Sequence, residues 1–227
     1  MKITKEKVWE MTKRLLIYVI GMFIIAFGVS ISIKSNLGVS TNNSVPYVIQ
    51  QKFPFFTLGT WVTVVFTVFV LIQALILWED FKWHAILQVP VSLLFGFFVD
   101  ASNWICAFII PDVTAYFLCL LYAVISIVLI ALGIFLYLEP KLICMPAEGV
   151  ALALSKRIKR PVSTCKIIFD VFLAVTAATL SLIFFQELRG VREGTILLAV
   201  GVGFVMKPIG KFLKKPLHTF IFGKTNE

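Results

Sequence analysis

The chain has 227 residues, of which 59% are hydrophobic and only 15% are charged, and its mean hydropathy is +0.96. Soluble domains carry about 25% charged residues, so this composition excludes a soluble globular fold. The formal net charge of +9 would indicate nucleic acid as a partner in a soluble protein. Here the charges lie between long apolar runs, and we expect no nucleic-acid partner.

Six apolar segments are each long enough to cross the membrane as a helix, which takes roughly 20 residues. In chain order they cover residues 15–33, 58–77, 84–109, 115–138, 162–185 and 194–213. The first is too long for a signal-peptide core and no small-residue cleavage site follows it, so we expect a retained helix. The sequence therefore predicts an all-α polytopic membrane protein with a single membrane domain over residues 1–227.

The basic residues are distributed unevenly between the two sides of this arrangement. If the N-terminal tail lies on one side, 17 of the 21 lysines and arginines fall on that side and four on the other. Because lysine and arginine concentrate in cytoplasmic loops, we predict that both termini are cytoplasmic. The basic side would then contact the anionic headgroups of the lipid bilayer.

A shift of about 105 residues aligns the two halves of the chain, residues 15–110 and 115–215. Identical pairs include Ala26 with Ala131, Gly28 with Gly133, and Leu37 with Leu142. The third helices carry Gly96-Phe97 and Gly203-Phe204 at a shift of 107. Each half contains three spans, and an odd number places the second half upside down. This pattern predicts a 3+3 inverted repeat, which many secondary transporters share, although a duplicated scaffold would leave the same trace.

Two connections, residues 35–57 and 139–161, are too long for simple loops. Each is predicted to contain a short helix, over residues 41–51 and 147–157. Ser40 or Thr41 suits the N-cap of the first, and Pro146 suits the first turn of the second. The repeat makes Asn43 of the first helix equivalent to Glu148 of the second.

Two interpretations of these short helices remain open. Half-helices at corresponding places in two repeats mark the binding site of many transporters, because their N-termini present free N–H groups and a positive dipole end. Alternatively, both helices lie flat among the lipid headgroups. The basic residues 156–160 favour an interfacial position for the end of the second helix.

Charged residues within a span cost at least about 2.5 kcal/mol and usually mark a function or an ion pair. Asp170 lies about nine residues into the fifth segment, and Lys166 precedes it by one helical turn, so the two side chains can pair. Asp100 lies near the end of the third segment. The predicted ligand-binding residues are Thr41, Asn43, Asp100, Glu148, Lys166 and Asp170.

The sequence contains no Walker A or dinucleotide-binding motif and no catalytic triad. We therefore predict no enzyme activity, no cofactor and no metal site. Cys106 and Cys119 flank one short loop. They would form a disulfide if that loop faces outward, whereas buried free thiols are the commoner outcome in membranes.

Several short motifs resemble the YczE/YyaS/YitT-type bacterial integral membrane proteins. They are Leu37-Gly38-Val39-Ser40 after the first helix, Pro146-Ala147-Glu148-Gly149-Val150, Val162-Ser163 with Lys166 and Asp170, and Gly194-Thr195 at the sixth helix. Thr41-Asn42-Asn43 departs from the Pro-aromatic-Asp stretch expected there. The resemblance implies a multi-pass protein of the bacterial plasma membrane and supplies no substrate.

We expect a small-solute transporter or permease-like protein that binds its ligand near Asn43 and Glu148. The alternative is a non-transporting scaffold, or the substrate-capturing subunit of a larger membrane complex. A scaffold would pack against a second copy or a partner subunit through an exposed helix face. Gly21 and Gly28 on the first helix would form such a face, because glycine permits close helix approach.

Overall fold

A computed structural model describes residues 5–80 and 83–222. Its helices are α1 (Lys5–Lys34), α2 (Thr41–Lys52), α3 (Leu58–Leu77), α4 (Gln88–Ile109), α5 (Tyr116–Leu138), α6 (Pro146–Ile158), α7 (Val162–Phe185) and α8 (Glu193–Phe222). Short 3-10 turns connect α3 to α4. Within the described residues, six helices are long and apolar enough to span a membrane. The predicted all-α membrane protein with six spans is confirmed.

Two spans are longer than predicted, each at its charged end. Helix α1 begins at Lys5 rather than at residue 15, and α8 continues to Phe222 rather than ending at 213. Lysine, arginine and glutamate are good helix formers, so the helix continues past the point where the apolar run stops. Three lysines that entered the orientation argument, Lys2, Lys82 and Lys224, lie outside the described residues.

Helices α1 and α5 cross closely at the centre of the molecule. A Cβ atom at Gly21 would lie 2.6 Å from the Tyr137 backbone nitrogen, and one at Gly28 would lie 2.8 Å from Ile130 Cγ1. Gly133 of α5 faces Gly21 at the same crossing. The glycine face of α1 is therefore buried within the chain itself. The expectation that Gly21 and Gly28 would serve an external partner is wrong, because α5 occupies that face.

Helices α3 and α4 also pack backbone against backbone, at Gly59 and Gly96, where a side chain on either residue would overlap the other helix. The equivalent contact is missing in the second half of the chain. Helices α7 and α8 scarcely touch, and a Cβ atom at Gly203 would meet nothing within 4 Å. Helix α8 packs on α5 instead. Only 6% of its apolar stretch is buried, against 61% for α1.

The short helix α2 runs along α7 rather than across it. Near its start, Asn42 contacts Lys166 in the second turn of α7. At its end, Lys52 lies 5.8 Å from the ring of Phe184, in the last turn of α7. These two contacts are about 27 Å apart along α7 at 1.5 Å per residue. Helix α2 therefore lies beside a spanning helix, which favours a re-entrant helix over one lying flat on the surface.

Helix α6 packs on α3 in the corresponding way. Gly149 faces the side chain of Gln73, and Ala147, Val150 and Ala151 are buried. The polar end of α6 is exposed at Lys156. The start of this helix is thus embedded in the bundle, while its basic end reaches the surface.

All four cysteines are free thiols, and Cys106 and Cys119 are buried.

The difference between Gly96 and Gly203 predicts opposite outcomes for the same substitution. Gly96→Ala should lower the free energy of unfolding by about 1–3 kcal/mol, because the added methyl group overlaps the Gly59 backbone. Gly203→Ala should leave it unchanged or raise it, because alanine is the better helix former and the site is open. Thermal unfolding of both variants in the same detergent compares them. Equal losses of stability would mean that α8 packs as tightly as α4.

Candidate ligand-binding site

A cavity of about 90 Å³ lies where α2 and α6 begin. Apolar side chains of five spanning helices line it, among them Ile25, Phe66, Phe95, Ile130 and Leu198. It is also lined by polar and charged residues, namely Ser40, Thr41, Asn42, Asn43, Glu148, Lys166 and Asp170. Pockets for drug-sized ligands are roughly 300–1,000 Å³. A cavity of this size therefore suits a few water molecules, an ion or a small solute.

Lys166 is the central polar contact of the cavity. Its Nζ lies 2.6 Å from Asp170 Oδ1, one helical turn further along α7. The same Nζ donates a hydrogen bond of 3.0 Å to Asn42 Oδ1 on α2. The predicted ion pair between Lys166 and Asp170 is confirmed, and the structure adds Asn42 as its third member. Lys166 thereby attaches the start of α2 to α7.

Two buried oxygen atoms beside this ion pair have no hydrogen-bond partner. Asn43 is 3% exposed, and its Nδ2 donates to Ser40 Oγ at 3.0 Å while its Oδ1 is unpaired. Glu148 Oε2 is also buried and unpaired. Burial raises the pKa of the Glu148 carboxyl, and the Lys166 charge and the Tyr137 hydroxyl oppose that rise. Buried polar atoms are normally hydrogen-bonded, so these two oxygens indicate a missing donor.

The start of α6 is held by a pair of buried glutamines. Gln73 Nε2 donates to Gln88 Oε1 at 2.8 Å and to the Pro146 carbonyl at 3.1 Å. Gln88 Nε2 donates back to Gln73 Oε1 at 3.2 Å. This exchange joins α3, α4 and α6. Neither glutamine was predicted from the sequence as part of the site, although a polar amide within an apolar span marks both.

The connection between α1 and α2 is held by the connection between α7 and α8. Val39 N donates to the Gly190 carbonyl at 2.9 Å, and Gly194 N donates to the Leu37 carbonyl at 2.8 Å. Gly38 lies between the two contacts with φ of 127°, a conformation that glycine adopts readily and side-chain-bearing residues rarely do. Two backbone hydrogen bonds therefore fix the route by which the chain enters α2.

Five of the six predicted ligand-binding residues line the cavity, namely Thr41, Asn43, Glu148, Lys166 and Asp170. The structure does not bring Asp100 to them. Asp100 Oδ2 accepts a hydrogen bond of 2.6 Å from Thr57 Oγ1, and its Oδ1 accepts one of 2.7 Å from Gly59 N. It thus satisfies free amide and hydroxyl groups at the start of α3.

Comparison with known proteins places the chain in a membrane-protein family. A family model with the description "Family of unknown function (DUF6198)" matches residues 12–211. The chain is 27% identical over 149 residues to the "Uncharacterized membrane protein YczE" of Bacillus subtilis (strain 168), covering 65% of this chain and 66% of the relative. It thus spans slightly less than two thirds of that relative. No solved structure matches. The chain belongs to the DUF6198 family, and the resemblance to YczE-type membrane proteins is confirmed.

Proposed function

We propose that this member of the DUF6198 family is a permease-like transporter of a small polar solute, with the cavity as its binding site. The supporting observation is that two short helices from different connections, α2 and α6, both begin at one cavity. Charged groups at that cavity, Glu148, Lys166 and Asp170, would cost much free energy in an apolar bundle without a function. The site lies in the bacterial plasma membrane in this proposal.

The pattern of helix packing supports the proposed 3+3 inverted repeat. Helix α2 packs on α7 of the other half, and α6 packs on α3. Helix α4 packs on α1, and α8 packs on α5. These reciprocal contacts are those expected of two halves related by a two-fold axis. With both termini in the cytoplasm, α2 enters the bundle from outside and α6 enters from the cytoplasm.

The unequal packing of the two halves supports a moving part in this proposal. Helix α4 packs closely on α3 at Gly96, whereas α8 makes no close contact with α7 at Gly203. Leu198 and Val202 of α8 line the same cavity as Lys166 and Asp170 of α7. In the proposed cycle α8 closes on α7 after the solute enters, and the closed pair in the first half opens in turn. Two such states would provide alternating access.

The scaffold alternative loses its main support, because α5 covers the glycine face of α1. The described residues retain exposed apolar side chains on α8, including Ile196, Val200 and Phe204. Such side chains are ordinary for a helix that faces lipid. They therefore give no reason to prefer a partner subunit over the bilayer.

The cavity carboxylates provide the direct test of transport. Glu148→Gln and Asp170→Asn should fold and reach the membrane but lose most uptake, because each removes a charge that lines the cavity. Asp112→Asn is the matched control, because this side chain is 88% exposed. Uptake of radiolabelled glycine, methylammonium and sodium into proteoliposomes would be measured, because these solutes are small enough for the cavity. Wild-type protein that moves none of these, or cavity variants that match Asp112→Asn, would contradict the proposal.

A substitution at Gly203 tests whether α8 closes on α7. Gly203→Leu should fold normally, because a Cβ atom at this position would meet nothing within 4 Å. It should nevertheless slow uptake strongly, because a bulky residue would prevent α8 from reaching α7. Phe204→Leu, an exposed position on the same helix, serves as the control. Unchanged uptake by Gly203→Leu would show that α8 does not close at this position.

A further inference from the structure

The two unpaired oxygens at the cavity define what a ligand must supply. Asn43 Oδ1 comes from α2 and Glu148 Oε2 comes from α6. Amide and carboxylate oxygens can accept hydrogen bonds or coordinate cations. Two neighbouring backbone amides already have acceptors, since Asn43 N donates to Ser40 O and Gly149 N donates to Met145 O. An ionised carboxylate has no hydrogen to donate to the amide oxygen. When Glu148 is ionised, the missing group is therefore a donor or a cation.

The charges that line the cavity favour a cation over an anion. Glu148 and Asp170 are acidic, Lys166 is basic, and Lys166 is already paired with Asp170. One negative charge therefore remains uncompensated when Glu148 is ionised. Helix N-termini often bind anions, but Glu148 itself occupies the first turn of α6. A ligand with one positive charge would neutralise the cavity.

The ligand set also limits the kind of cation. Carboxylate and amide oxygens suit hard cations and ammonium groups rather than soft metals. The described residues contain no cluster of three histidine, cysteine, aspartate or glutamate side chains that would hold a metal ion. The small cavity volume excludes a bulky organic cation. These constraints leave an alkali-metal ion or a primary ammonium group.

We propose that the cavity binds one monovalent cation between Asn43 Oδ1 and Glu148 Oε2, either an alkali-metal ion or the ammonium group of a solute. The inference rests on the proposed function, since it names the ligand class of the same site. A bound cation would join the start of α2 to the start of α6, which belong to different halves of the chain. Occupancy of the site would then stabilise one arrangement of the two halves over the other.

Binding is testable without any transport assay. Full-length protein in detergent would be titrated with sodium, potassium or methylammonium chloride, and its thermal unfolding compared with that in choline chloride at equal ionic strength. The proposal expects a saturable rise in Tm with at least one small cation and none with choline, which is too large for the cavity. A rise in Tm with sodium or potassium alone would indicate a coupling ion, and a rise with methylammonium alone would indicate an amine solute. No cation-specific rise would overturn the proposal.

Two variants test whether the cation binds to these two oxygens. Glu148→Gln and Asn43→Ala should each raise the apparent Kd by about tenfold or more, because each removes an oxygen ligand or its charge. Asp112→Asn should bind as the wild type does. If Glu148→Gln does not fold, the apparent Kd of Asn43→Ala alone tests whether the cation binds at this site. An unchanged Kd in the folded variants would place the cation elsewhere and overturn the inference.

The result separates this inference from the transport proposal. Cation binding that depends on Asn43 and Glu148, with no uptake of any tested solute, would support the cation site and contradict transport. Uptake that requires Glu148 and Asp170 but is independent of small cations would support transport and contradict the cation site.

Discussion

The ammonium group of Lys166 is the contact on which the rest of the site depends. It pairs with Asp170 on its own helix, and its hydrogen bond to Asn42 fixes the start of α2 beside α7. The Lys166 contact holds the Asn42 side chain and so positions the start of α2 beside α7, where Asn43 reaches the same cavity as Glu148.

A second constraint comes from helix approach at glycine. The crossing of α1 and α5 at Gly21 and Gly133 forms a fixed centre, and α3 and α4 are joined in the same way at Gly59. Helix α8 lacks such a contact with α7, and its residues Leu198 and Val202 line the cavity. A rigid centre with one loosely packed wall is a reasonable basis for the proposed movement, because packed interfaces tend to switch between discrete arrangements.

The spans were predictable because runs of about 20 apolar residues leave little alternative, and the pair of Lys166 with Asp170 was predictable because helix geometry alone brings residues four apart together. The partner Asn42 was not predictable, since it lies 124 residues from Lys166 and only tertiary packing joins them. Gly96 and Gly203 match in sequence yet differ in packing. A local pattern cannot distinguish them, because the difference lies in the position of a whole helix.

In the proposed arrangement, α2 and α6 enter one cavity from opposite sides of the membrane. Gln51 and Lys156 are exposed near the ends of these helices, so single cysteines there in a cysteine-free background would report the sides directly. With a membrane-impermeant maleimide on intact cells, Gln51→Cys should label at once, and Lys156→Cys only after permeabilisation. Labelling of both positions from the same side would contradict the inverted arrangement and the transport account built on it.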